Sequence, residues 1–275
     1  MPQIDINGAS LYYEEKGEGF PVVFTHGLGS DSTMWAFQVP VFSEQYRVIA
    51  WDVRGHGKSE VTDEGYSIDQ FVSDLDTLLV KLGVERAHMI GLSMGGWISW
   101  KFAADHPEKT ERLVLSDSAG LTPKDTPEEM KKKRDMFALS AQIAEEKGRE
   151  PLVQTTLELM FSKDFIENSP EVVDMVRKRI VADRGIGYAR TISRMFLPYW
   201  DAYDEEAAKK ELAKIKAPTL VIAGELDVLT PLPTQEALAE YITGAELKKI
   251  PGSGHVPPVE KKDEWNDAVL DFLSS

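Results

Sequence analysis

A serine set between two glycines, Gly91-Leu92-Ser93-Met94-Gly95, follows directly on the apolar run Ala87-His88-Met89-Ile90 and constrains this chain more than any other stretch. The spacing has the form of a nucleophile elbow, in which a strand turns abruptly into a helix and lifts a serine hydroxyl clear of the backbone. Such a turn holds the serine in a strained conformation and leaves no room for side chains two residues to either side, so glycine is required there. Gly96-Trp97-Ile98-Ser99-Trp100-Lys101-Phe102-Ala103-Ala104 reads as the buried helix that follows, stopped by Asp105-His106-Pro107. Its N-terminus would aim amide hydrogens and the positive end of the helix dipole at Ser93.

Strand-like and helix-like stretches alternate around this motif, the pattern of an α/β fold with a mostly parallel sheet and helices on both faces. Leu11–Glu14, Val22–Thr25 and Val48–Trp51 precede the elbow strand, and Arg112–Ser116, Thr219–Ala223 and Leu247–Ile250 follow it. The clearest helix starts at Ser67, where Ser67 and Gln70 form a capping box. Ile68, Phe71, Val72, Leu75, Leu78, Leu79 and Leu82 then fall on one face before Gly83 ends it. Another helix covers Glu264 to Leu273.

Residues 121–216 carry no strand pattern. Thr126-Pro127-Glu128-Glu129 combines a capping box with proline at the first helical position and opens a helix that runs to Gly148; Ser169-Pro170-Glu171 opens another. The expected organisation is a core of residues 1–120 and 217–275, with a helical cap, 121–216, inserted between two strands and folding with the core as one unit.

Composition narrows the function. With 46 acidic residues against 31 Lys and Arg, the net charge of -15 disfavours nucleic acid and anionic membrane as partners. The absence of cysteine removes disulfides, thiol catalysis and thiolate metal sites. The first residues lack the basic and apolar regions of a signal peptide, and no apolar run approaches the roughly 20 residues needed to span a bilayer. A cytoplasmic protein acting on a small molecule is expected. Gly57-Lys58-Ser59 resembles the end of a phosphate-binding loop, but Asp52 stands where that loop needs glycine, and Ser32 breaks any dinucleotide fingerprint after Gly27 and Gly29. No nucleotide site is therefore expected.

A serine hydroxyl is a poor nucleophile until a base takes its proton. Of the five histidines, His255 is the best placed, in the loop Gly252-Ser253-Gly254-His255 after the Leu247–Ile250 strand. Asp227, in Gly224-Glu225-Leu226-Asp227 after the preceding strand, would orient it. Glu225 and Asp117 are the alternative acids, Asp117 lying after the strand that ends at Ser116. His88 reads as a satisfied core residue, His106 as a helix-end cap and His56 as part of a structural turn. His26-Gly27-Leu28-Gly29 follows the Val22–Thr25 strand, and the amides of Leu28 and Met94 are the candidate oxyanion hole; the alternative is that the glycines only make a tight turn. This chemistry calls for no metal and no organic cofactor.

Together with the turn Asp52-Val53-Arg54-Gly55-His56-Gly57-Lys58-Ser59, these motifs resemble the α/β-hydrolase superfamily over essentially the whole chain. The Gly-Leu-Ser-Met-Gly-Gly elbow and the stretch Thr156 to Ser162 are most similar to 3-oxoadipate enol-lactonases and related carboxylesterases. The resemblance implies an α/β-hydrolase fold with an inserted cap and hydrolysis of a small carboxylic ester or lactone through an acyl-enzyme on Ser93, His255 and Asp227. Cofactor-free perhydrolases and carbon-carbon bond hydrolases share most of these motifs, although asparagine commonly precedes the nucleophile in the latter and Leu92 stands here. A non-catalytic receptor for a small ligand is the alternative from another class. Met136, Phe137, Met160, Phe161, Met195, Phe196, Tyr199 and Trp200 are candidates for an apolar pocket, with simple core as their other reading. An enol-lactone would carry a free carboxylate, for which Arg177, Arg179, Arg190 and Arg194 are the candidate partners, a solvated helix face being the alternative for most of them.

Overall fold

The computed structural model describes residues 3–122 and 125–275. Its strands are β1 (Gln3–Ile6), β2 (Ala9–Lys16), β3 (Phe20–Thr25), β4 (Tyr46–Trp51), β5 (Ala87–Leu92), β6 (Thr110–Ser116), β7 (Thr219–Gly224) and β8 (Glu246–Ile250). They form one sheet in the order β1-β2-β4-β3-β5-β6-β7-β8. The pairings β1–β2 and β2–β4 are antiparallel, and all the others are parallel.

The chain passes from β3 to β4 on one side and then returns to place β5 on the other side of β3. This reversal opens a crevice beyond the C-terminal ends of β3 and β5, the place where ligands bind in open sheets of this kind. The segments that follow those two strands are His26-Gly27-Leu28-Gly29 and Ser93.

The parallel strands are buried because helices cover both faces. All six residues of β5 and all six of β7 are buried. Alternation sends Met89 of β5 into one apolar cluster, with Phe71, Leu75, Leu78 and Phe102, and its Ile90 into the other, with Phe24, Trp35, Phe42 and Trp265. Each large side chain withdrawn in this way stabilises the fold by roughly 1.5–3 kcal/mol.

Two local features differ from the sequence expectation. β1 was not foreseen; it pairs with β2 through the two-residue turn Asn7-Gly8, both at positive φ (47° and 76°), where an Asn-Gly pair suits a tight hairpin. At the helix Ile68–Lys81, Ser67 Oγ accepts the Gln70 amide at 3.2 Å, but the Gln70 side chain donates to Asp74 Oδ1 at 2.8 Å instead of returning to Ser67. The capping box is thus half formed, because a buried carboxylate competes for the amide.

Between β6 and β7 the described residues form helices, among them Pro127–Lys147, Val153–Met160, Lys163–Asn168, Pro170–Ala182 and Ile186–Thr191. The Thr126 box is complete, with Thr126 Oγ1 accepting the Glu129 amide at 3.2 Å and Glu129 Oε2 accepting the Thr126 amide at 2.7 Å. Gly187 packs so closely on the Gly55 carbonyl that no Cβ would fit. Arg190 and Arg194 bond the carbonyls of Thr62 and Asp63, fastening the helices to the loop beyond β4. Among the described residues no helix is long and apolar enough to cross a membrane.

Candidate active site

Ser93 occupies the sharp turn between β5 and the helix Met94–Asp105, with φ 55° and ψ -117°, a conformation rare for a residue with a side chain. A Cβ on Gly91 would collide with the Gly95 carbonyl, and one on Gly95 with the carbonyls of Thr25 and His26. The surrounding structure holds the strained serine in place: its amide donates to Ser116 O at 3.0 Å, and its carbonyl accepts the amides of Trp97 and Ala119, each at 3.0 Å. Ser93 is partly exposed, and its hydroxyl makes no hydrogen bond to any described residue.

His255 lies in the loop after β8. Its amide donates to Met160 O at 2.9 Å, and the preceding Gly254 amide donates to Glu260 Oε1 at 2.8 Å. The other oxygen, Oε2, accepts the Ser162 amide at 2.9 Å, so Glu260 pins the histidine loop to the inserted helices. His255 Nδ1 is 2.8 Å from Asp227 Oδ2. Asp227 also accepts the Leu229 amide at 2.8 Å and the Thr230 hydroxyl at 2.6 Å. Burial alone would push its carboxyl up; the His255 imidazole and these donors outweigh that and hold it below the ordinary carboxylate value. An ionised Asp227 only accepts, so Nδ1 of His255 is the donor in this hydrogen bond.

Asp117 follows β6 and lies beside Asp227, but its Oδ1 accepts the Gly224 amide at 2.7 Å and its Oδ2 accepts the Ser116 hydroxyl at 3.1 Å. Burial first, and then the charge of Asp227, push the Asp117 carboxyl well above the ordinary range. Asp117, Asp227 and His255 each bring one potential ligand atom within 4.8 Å of the others. Hydrogen bonds to protein groups already occupy both carboxylates and Nδ1. Glu225, the other alternative acid, accepts the Gly252 amide at 3.2 Å and lies on the exposed side of the loop.

His26 Nε2 accepts the Val53 amide at 2.9 Å while Nδ1 donates to Gly27 O at 2.8 Å. Fixing both nitrogens ties the Gly27-Leu28 backbone to the loop after β4. Among the described residues, neither the Leu28 nor the Met94 amide finds an acceptor. Of the other histidines, His106 caps the elbow helix, and His56 donates from Nδ1 to Arg54 O at 3.0 Å. His88 is packed against Phe20 and Tyr46 in the core, but its buried Nδ1 has no partner among the described residues, so it is not the satisfied core histidine expected.

Ser93, His255 and Leu28 border one cavity of about 660 Å³, a size suited to a small molecule. Its walls are mainly apolar. Of the eight residues expected there on sequence grounds, all but Met195 line it; Met195 turns into the core cluster with Trp97 and Phe196. Arg179 reaches the cavity, whereas Arg177 does not, and Arg190 and Arg194 are engaged at the Thr62-Asp63 loop. Sequence reasoning missed Arg149, which also lines the cavity, and Thr230, which braces Asp227. The only signal for Thr230 was its position three residues beyond the acid; Arg149, next to a helix-ending glycine, had none.

Residues 21–262 match the family model described as alpha/beta hydrolase fold. The chain is 30% identical over 248 residues to 3-oxoadipate enol-lactonase 2 of Acinetobacter baylyi, covering 90% of this chain and 86% of the relative. It is also 30% identical over 277 residues to 2-hydroxymuconate semialdehyde hydrolase of a Pseudomonas species, covering 97% and 91%. The crystal structure of the enol-lactonase from Burkholderia xenovorans LB400 superposes with a TM-score of 0.87 at 32% identity over the full length of both chains. The sheet order, the strained serine between β5 and its helix and these matches agree: the chain belongs to the α/β-hydrolase family.

Proposed function

We propose that this chain hydrolyses a carboxylic ester or lactone of a small molecule, with Ser93 as nucleophile, His255 as base and Asp227 as the acid that orients it. The observation that carries the reading is the Asp227–His255 hydrogen bond of 2.8 Å at the edge of the cavity that Ser93 enters. Ser93 Oγ attacks the carbonyl carbon as Nε2 of His255 takes its proton, and the negative charge that develops on the carbonyl oxygen is met by the amides of Leu28 and Met94. In comparable sites one such donor is worth roughly 3 kcal/mol of barrier. The imidazolium then returns the proton to the departing alkoxide. Water, deprotonated by His255, releases the acid and restores the serine.

In this reading residues 121–216 act as the cap over a core of residues 1–120 and 217–275. The cap supplies the Met160, Phe161, Phe196 and Trp200 walls of the cavity and so selects the substrate. Among relatives with different reactions, ester and lactone cleavage is preferred over carbon-carbon cleavage because Leu92, an apolar and buried residue, precedes the serine.

The test is turnover of a 4-nitrophenyl ester by the native chain and by Ser93→Ala. Ser93→Ala is expected to lose at least about a thousandfold in kcat with an unchanged melting temperature. Equal turnover by the two proteins would refute the assignment.

A further inference from the structure

The helices Val153–Met160 and Lys163–Asn168 are separated by two extended residues, Phe161 (φ -119°, ψ 150°) and Ser162 (φ -62°, ψ 150°). A helix end leaves carbonyls without a partner, and a helix start leaves amides without one. Along an extended stretch the carbonyl before a residue and the amide after it point to the same side. Met160 O and the Ser162 amide therefore share one edge, and the segment that carries His255 meets both. The His255 amide donates to Met160 O at 2.9 Å, and the Ser162 amide donates to Glu260 Oε2 at 2.9 Å.

Glu260, half-buried at the end of the short helix Pro257–Glu260, closes this arrangement from the other side. Its Oε1 accepts the Gly254 amide at 2.8 Å. The two oxygens thus join a donor from the inserted helices to a donor from the residue before the base. The junction has no slack, since a Cβ on Gly254 would lie 2.9 Å from Ser162 N and 3.0 Å from both Met160 O and Glu260 Oε1. Met160 and Phe161, which own this stretch of backbone, line the cavity with their side chains. The wall that a substrate touches and the main chain of His255 are therefore one hydrogen-bonded unit. Asp227 orients the imidazole ring, whereas the main chain of Gly254 and His255 sets how far the ring reaches toward Ser93.

We propose that Glu260 is a positioning residue of this site: it places His255 against Ser93 by way of the segment Met160–Ser162, so that the base is aligned when the Met160–Phe161 wall is seated. The inference rests on the hydrolase reading and deepens it. A displacement of about 1 Å at a reacting group can cost on the order of a hundredfold in rate. A purely structural Glu260 would affect stability and leave turnover by the folded molecules unchanged; a positioning Glu260 acts on kcat of the folded chain and leaves KM nearly constant.

The experiment compares the native chain with Glu260→Gln and Ser162→Pro in steady-state turnover of 4-nitrophenyl butyrate. Glu260→Gln keeps the size of the side chain but offers one acceptor oxygen to two amides. Ser162→Pro removes the donor on the inserted helices and leaves Glu260 in place; φ of -62° after an extended Phe161 suits proline. Each variant should lower kcat by about tenfold to a hundredfold, with KM changed by less than about twofold. In proton NMR the low-field Nδ1–H resonance of His255, identified by its loss in Asp227→Asn, should move upfield in both variants. Melting curves confirm that each is folded, and Ser162→Pro serves if Glu260→Gln does not fold. An unchanged kcat and an unmoved resonance in folded Glu260→Gln overturn the positioning role and leave the hydrolase reading standing. A rise in KM with kcat intact also overturns it, since Glu260 would then serve substrate binding. No Ser93-dependent hydrolysis by the native chain overturns the hydrolase reading and the link to turnover; a resonance that still moves in Glu260→Gln keeps the placement of His255 by Glu260.

Discussion

Asp117 and Asp227 stand side by side at the ends of adjacent strands β6 and β7, yet only Asp227 bonds the imidazole, with Oδ2 2.8 Å from His255 Nδ1. Asp117 turns its carboxyl to the Gly224 amide at 2.7 Å and to Ser116. Two buried carboxyls so close cannot both be ionised without cost, and the one with the histidine and three further donors keeps the charge.

The two acids therefore separate on mutation. Asp227→Asn should lower kcat by roughly 10⁴, because the amide no longer enforces the Nδ1–H tautomer. Asp117→Asn, which resembles a neutral carboxylic acid, should cost less than about tenfold. Steady-state kinetics on one activated ester decide between them; a larger loss at Asp117 would reverse the roles.

Gly95→Ala should destabilise the fold by roughly 1–3 kcal/mol, since its methyl would enter the carbonyls of Thr25 and His26 at the crossing of two loops. The melting temperature should fall by several degrees. The same displacement moves the Leu28 backbone, so kcat should fall as well; a stable, fully active Gly95→Ala variant would contradict the close packing.

Arg54 and Asp74 form a buried two-pronged pair, Nε to Oδ2 at 2.8 Å and Nη2 to Oδ1 at 2.9 Å, with side-chain exposures of 4% and 0%. Asn7 and Gln70 donate to the same carboxylate at 3.0 Å and 2.8 Å. Asp74→Ala would strand the guanidinium and should cost roughly 3–5 kcal/mol in chemical denaturation. A loss under 1 kcal/mol would show the pair to be solvated.

Acid should unfold the protein through His26 and His56. Burial lowers each to about 4 from the ordinary 6.5. The unfolded chain then binds more protons than the folded one between those values, so stability is fully present above pH 6.5 and is lost as pH falls toward 4. The loss should reach roughly 3 kcal/mol per ring. Protonation at His26 Nε2 would break its bond with the Val53 amide, and His56 Nε2 has no partner among the described residues to receive a new proton's bond. Denaturation curves at pH 7, 6 and 5 test this; a flat profile would show that the two rings take up protons as readily in the folded state as in the unfolded chain.

By itself the sequence determined what short-range sterics and periodicity decide. The glycines around Ser93, the apolar runs of β3, β5 and β7 and the Thr126 box are local, since each depends on residues within a few positions, and the structure carries each of them. Placing Asp227 and His255 after successive strands was also readable, because parallel strands deliver their C-terminal ends to one edge. Only the tertiary structure decided where long side chains went. Ser67 and Gln70 have the spacing of a box, but a buried Asp74 claims the glutamine; Met195 has the character of a pocket residue, but its helix turns it into the core. Four arginines looked alike in sequence, and packing sent Arg190 and Arg194 to a loop and Arg179 to the cavity, beside an unforeseen Arg149. Such outcomes depend on partners far apart along the chain: 120 residues separate Arg149 from Gly29, and 149 separate Arg179 from Ser30. No local pattern encodes a contact between segments that meet only after the sheet and its inserted helices have packed together.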